Sequence, residues 1–208
     1  LELEKVFLYL CLHDGGILDV TKIGGSLEMS RQTVNNFIGL LESAHLIYRL
    51  HPHGYGKQIL KGQHKVYLAD AAISGSVLLK GKSLLEDTKR LSAAVETAFF
   101  KHLFTRDYAI TVGFSYWKQK GTDLEVDIVS DVGDTLVPFE VKYQASITKS
   151  DLKGLDALCS ERKLDRGYLV TRELSDFKKM KAAVSKADIL AIPAVLACFW
   201  LSRSEHEQ

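Results

Sequence analysis

The chain has 208 residues, of which 46% are hydrophobic and 25% charged, enough for one large domain or two small ones. Its formal net charge of +1 excludes a global electrostatic footprint for DNA or an anionic membrane, so any such contact has to come from a local patch. Cys11, Cys159 and Cys198 are odd in number, sit in apolar runs and lack metal-ligand spacing, which reads as buried thiols in a reducing, cytoplasmic setting.

The chain opens on Leu1 and runs immediately into "LEKVFLYLCL", a helical pattern already under way, as expected of a fragment of a longer protein. "DVTKIGGSLEM" reads as a short helix and "SRQTVNNFIGLLESAHL" as a longer one, with Ser30 at its N-cap. Val34, Phe37, Ile38 and Leu41 recur at spacings of three and four and make one buried face, so Arg31, Gln32, Asn35 and Asn36 point away from it. "LIYRLHP" and "KQILKGQHKVYLAD" then alternate as strands around the turn-rich "HPHGYG".

Three helices and a two-stranded wing over residues 1–78 match a winged helix-turn-helix, whose third helix can enter a major groove. No acidic residue falls between Ser43 and Ala69, while Arg49, Lys57, Lys61 and Lys65 do, so the wing is expected to lie along a phosphate backbone. A protein-binding or spacer role stands beside that reading. His51 and His53 lie on a loop with no third ligand and read as solvated. "GSVLLKGKS" (75–83) has one residue too many between its glycines for a phosphate loop and no strand feeding it, so no ATPase site is expected here.

Residues 79–208 read as α/β. The predicted order is a helix over "EDTKRLSAAVETAFFKHLFTRD", the strands "YAITVGFSYWKQ", "LEVDIVSD" and "TLVPFEVKYQ", then helix "SDLKGLDALCSER", strand "RGYLVTRE", helix "SDFKKMKAAVSK" and strand "ILAIPA". The apolar run Ile189–Leu201 is too short for a membrane span, contains Pro193, and reads as a buried strand entering a terminal helix. Lys178, Lys179, Lys181 and Lys186 are expected on a solvated helix face or a DNA-facing one. "YWKQKG" (116–121) is expected either to line a strand groove or to pack in the core.

Strand alternation puts Val137, Phe139, Val141 and Tyr143 on one face and Leu136, Pro138, Glu140, Lys142 and Gln144 on the other. On the preceding strand it puts Leu124, Val126 and Ile128 opposite Glu125, Asp127 and Val129. If the two pair across "DVGD", carboxylates gather on one face, where like charges repel by up to roughly 1 kcal/mol per pair. A divalent cation would offset that repulsion.

Asp127 followed after twelve residues by Glu140-Val141-Lys142 resembles the PD-(D/E)xK signature of restriction-endonuclease-like nucleases, with Val126 where many members carry proline. The resemblance implies a restriction-endonuclease-like mixed sheet flanked by helices, with Asp127 and Glu140 as ligands of Mg²⁺ or Mn²⁺ and Lys142 orienting the attacking water. It further implies an acidic residue on the preceding helix, matched by Glu96, and Gln144 as a polar support one layer out.

The wider order, winged helix, "KVYLADAAI", "AAVETAFFKHL", "YWKQKGTDLEVDIV" and "FEVKYQ", resembles the carboxy-terminal region of bacterial and archaeal AAA-type ATPases, long called a domain of unknown function. That resemblance implies an upstream ATPase as partner, DNA as target, no membrane, and room for an oligomer. Three activities remain open: a metal-dependent DNA nuclease, a non-catalytic DNA- or protein-binding module, and a winged-helix transcription regulator reading bases with Arg31, Gln32, Asn35 and Asn36.

Overall fold

A computed structural model describes residues 1–54, 63–133 and 135–203. They divide into two compact units, one of residues 1–51 and 63–98, the other of 52–54 and 99–203.

In the first unit α1 (Glu2–Leu12), α2 (Val20–Leu27) and α3 (Arg31–Ser43) precede strands β1 (Ile47–Pro52) and β2 (Lys65–Leu68). The caps follow from the sequence. Asp19 accepts from the Lys22 amide at 3.0 Å and Ser30 from the Thr33 amide at 3.1 Å, each satisfying a first-turn N–H that no helical carbonyl can reach. Val34, Ile38 and Leu41 of α3 join Val6, Leu10, Ile23, Ile47 and Val66 in one core, the face predicted from their spacing. β1 and β2 are antiparallel, with Ile47 opposite Leu68 and Leu50 opposite Lys65. A short helix, α4 (Ala71–Val77), follows, capped by Asp70. Helix α5 (Thr88–Asp107) begins in this unit and its residues from Phe99 belong to the second.

Among the described residues of the second unit, a six-stranded mixed sheet runs in the order β3-β4-β5-β6-β8-β7. Its strands are β3 (Thr111–Lys118), β4 (Glu125–Val132), β5 (Thr135–Lys142), β6 (Arg166–Thr171), β7 (Lys178–Lys181) and β8 (Asp188–Pro193). β3, β4 and β5 pair antiparallel, β5, β6 and β8 parallel, and β7 returns antiparallel along β8. Helix α6 (Lys153–Arg162) covers one face through Leu155, Leu158 and Cys159, packed on Val126, Val129, Leu169 and Ile189. On the other face Phe99 packs against Phe139, and Phe139 stacks on Tyr168. The last helix, α7 (Ala194–Arg203), continues directly from β8 as expected.

Two expectations need correction. The segment "SDFKKMKAAVSK" is not a helix: a 3₁₀ turn (Leu174–Asp176) leads into β7. The amides of Ala183, Val184 and Ser185 donate to Asp156, and Lys186 has φ of 62°, so neither the hydrogen bonds nor the backbone of a helix are available there. Nor does β4 alternate cleanly. Ser115 lies opposite Val129 but Trp117 opposite Val126, so β4 carries one extra residue around Asp127 and Ile128. This bulge reverses the parity and brings Val126 and Val129 into the same core.

Candidate functional site

The β4–β5 ladder runs from Val132 opposite Thr135 to Ile128 opposite Phe139. One residue further the amides turn to carboxylates. The Val141 N–H donates to Asp127 Oδ2 at 2.9 Å, and the Asp127 N–H donates to Glu140 Oε2 at 3.3 Å. Each carboxylate is therefore held by the backbone of the facing strand, at the place where the bulge re-aims β4. Asp127 is 8% exposed and Glu140 5%. Burying two anions this close is unfavourable unless cationic or hydrogen-bonding partners compensate. The Lys142 ammonium is one such partner, paired with Glu140 Oε1 while remaining a third exposed.

Helix α6 closes on this region through Gly154. A Cβ there would lie 2.1 Å from the Glu125 carbonyl oxygen, so only glycine lets the first turn of the helix rest on β4 two residues before Asp127. Gln144 lies two residues past the end of β5. Its amide donates to the Ser146 carbonyl at 2.9 Å and to Asp151 at 3.1 Å, which ties the chain after β5 to the capping box of the turn ahead of α6.

Asp127, Glu140 and Lys142 thus come together in the second unit. Glu96 lies in the first, where its Oε1 accepts from the Tyr67 hydroxyl at 2.7 Å and pairs with Lys65 at 2.9 Å. Lys65, expected along a phosphate backbone, is 3% exposed and spent on that pair, because β2 turns its side chain into the unit. Arg31, Gln32, Asn35 and Asn36 are all exposed on α3, and Gln32 donates to Asn36 at 2.9 Å. Lys57 and Lys61 lie outside the described residues. Arg49 pairs with Glu42, His51 with His64, and His53 hydrogen-bonds Ser115. Tyr116 and Trp117 are core residues, at 4% and 3% exposure.

A divalent cation of the Mg²⁺ class takes hard oxygen ligands and keeps several waters, so one or two carboxylates plus substrate phosphate suffice. Asp127 and Glu140 fit that donor chemistry. Among the described residues no group of three or more His, Cys, Asp and Glu is arranged to hold a metal ion.

The sequence reading missed Asp156. It lies on the buried side of α6 beside Leu155 and Cys159, and takes the amides of Ala183, Val184 and Ser185 at 3.0, 2.9 and 2.8 Å. Burial alone would raise its pKa, but those amides and the Ser185 hydroxyl outweigh burial and hold it below the usual carboxylate value. The signal was present in "LDALC", where an acid interrupts the buried helical face.

Residues 91–193 match a family model described as Domain of unknown function (DUF4143), a domain often found C-terminal to AAA-type ATPases. Residues 1–84 match a second one, Domain of unknown function (DUF8612). No curated protein matches the chain. Among the described residues no helix is long and apolar enough to cross a membrane.

Proposed function

We propose that the second unit is a restriction-endonuclease-like domain that hydrolyses DNA phosphodiesters with a divalent cation, and that the first is a winged helix that contacts DNA. In this reading the chain is the carboxy-terminal part of an AAA-type ATPase, in keeping with the domain matched over residues 91–193. The observation that carries the proposal is the exchange of ladder hydrogen bonds for carboxylate–amide bonds at Asp127 and Glu140. Two acids on facing strands are held rigidly at the same level with an ammonium beside them.

Asp127 and Glu140 would hold Mg²⁺ or Mn²⁺, which when bound neutralises phosphate charge and makes a coordinated water more acidic. The backbone amides keep both carboxylates oriented before substrate arrives, so little reorganisation is needed. Lys142 sits beside Glu140 and would steady the attacking water and the charge growing on the phosphate oxygens. Glu96 stays outside this assignment, because Lys65 and Tyr67 already engage its carboxylate. Arg31, Gln32, Asn35 and Asn36 form the exposed side of α3 that would face a major groove.

The Lys142–Glu140 ion pair favours a second reading, a module that keeps the acids but only binds DNA or a partner. A Mn²⁺ titration by calorimetry separates the two. The nuclease reading predicts one saturable site lost in Asp127→Ala; heat that is absent, or unchanged in that variant, favours the binding module.

A further inference from the structure

Where β6 and β8 begin, a groove of about 800 Å³ opens against the end of α6, β7 and the loop that follows β7. Its cationic lining is Lys163, Arg166, Lys179, Lys181 and Lys186. Asp165 and Asp188 are its acids, and both are already paired: Asp188 with Lys179 at 2.6 Å and with Lys181, Asp165 with Arg166 at 3.3 Å. The balance inside the groove is positive.

Two of these lysines hold backbone conformations that glycine takes without strain and lysine does not. Lys163 ends α6 at φ of 56° and Lys186 turns the loop at 62°. The loop itself is fixed, since the buried Asp156 carboxylate collects three of its amides and Lys186 Nζ donates to the Ala183 carbonyl at 2.7 Å. A preorganised wall loses little entropy on binding.

Charge repeats along the edge strand as well. The backbones of Lys179 and Lys181 are about 6.7 Å apart at the usual strand rise, on one side of β7, and both ammonium groups meet the Asp188 carboxylate. At the start of that strand Phe177, 49% exposed, meets Trp200, 46% exposed, edge to face at 5.8 Å. A cationic track beside exposed aromatic rings is the arrangement that receives a phosphate backbone and stacks its bases.

We propose that this groove binds single-stranded nucleic acid, with Lys163 and Lys186 on the phosphates, the Lys179–Asp188–Lys181 cluster adding one net positive charge beside them, and Phe177 stacking a base. It lies at the opposite end of the parallel strands from the carboxylates. Glu140 is level with Leu169, whereas Arg166 is three residues earlier on β6, about 10 Å along the strand. The site does not depend on Asp127 or Glu140.

The test is anisotropy of fluorescein-labelled oligothymidylate titrated with the full chain in EDTA at several salt concentrations. Lys163→Gly/Lys186→Gly removes two ammonium groups where glycine relaxes the backbone. The melting temperature should change little, because backbone relief at both positions offsets the lost Lys186 Nζ–Ala183 bond; affinity should fall at least about tenfold, and the salt slope should shrink by about 1.4, at roughly 0.7 per lost phosphate contact. Phe177→Ala should weaken binding about tenfold with the slope unchanged. The proposal is overturned if the native chain does not bind, if polyglutamate competes as well as oligothymidylate, or if the double variant keeps the native affinity and slope. Loss in Asp127→Ala alone would assign binding to the carboxylates and equally overturn it.

Discussion

Replacing Asp156 with alanine strips three amides of their acceptor at once. Hydrogen bonds to a charged group contribute about 1.5–3 kcal/mol each, but Ala183 and Val184 are exposed and water can take over part of their bonding. The expected cost is about 2–4 kcal/mol, with Asp156→Asn intermediate because its carboxamide still accepts through one oxygen. Both tryptophans, Trp117 and Trp200, lie in the second unit, so urea unfolding followed by their fluorescence reports on this unit directly. With a slope of about 2–3 kcal/mol per molar urea, the midpoint should fall by about 0.7–2 M. The sign with pH is fixed by a depressed folded-state pKa: the stabilisation is fully present above the unfolded value near 3.9 and disappears as pH falls through the lower folded value. The gap between native and variant should therefore stay constant from about pH 7 to 5 and narrow progressively as pH falls below about 4. A cost under about 0.5 kcal/mol, or a gap that persists undiminished at pH 3, would refute the reasoning.

Gly154→Ala places a methyl group inside contact distance of the Glu125 carbonyl, and because the obstacle is backbone, α6 must shift; a loss of about 3 kcal/mol or more in the same urea assay is expected. Glu96→Ala deprives the buried Lys65 ammonium of its carboxylate, which should cost about 3–5 kcal/mol by thermal melting while Mn²⁺ affinity stays unchanged. Asp14, which accepts from the Leu68 amide and the Thr97 hydroxyl, has its pKa pushed up to about 6 by burial. A raised carboxylate pKa makes stability greatest below about pH 4 and lowers it as pH rises towards 6, so melting curves of Asp14→Asn should be flatter than native across that window.

Local signals carried much of the fold. Ser30 announced the start of α3, its three- and four-residue apolar spacing announced the buried face, and alternation in β5 separated Phe139 from Glu140. What stayed hidden depended on contacts distant in sequence. The bulge at Asp127 exists only in the pairing of β4 with β3, so strand parity could not reveal that Val126 and Val129 share a face. "KKMKAAVSK" has helix-forming residues throughout, and its conversion to an edge strand and loop comes from pairing with β8 and from Asp156 on another element. Asp127, Glu140 and Lys142 were legible as a set because short strands joined by a tight turn keep them level. The commitments of Glu96 to Lys65 and Tyr67, and of Gln144 to Asp151, are side-chain choices that spacing alone cannot determine.

The decisive measurement is cleavage of supercoiled plasmid and single-stranded DNA in Mg²⁺ or Mn²⁺, comparing the native chain with Glu140→Ala and Lys142→Ala purified identically. The account predicts cation-dependent cleavage that both substitutions reduce at least about a hundredfold, in line with loss of a group stabilising transition-state charge. Cleavage that survives both substitutions, or none by the native chain with either cation, would contradict it.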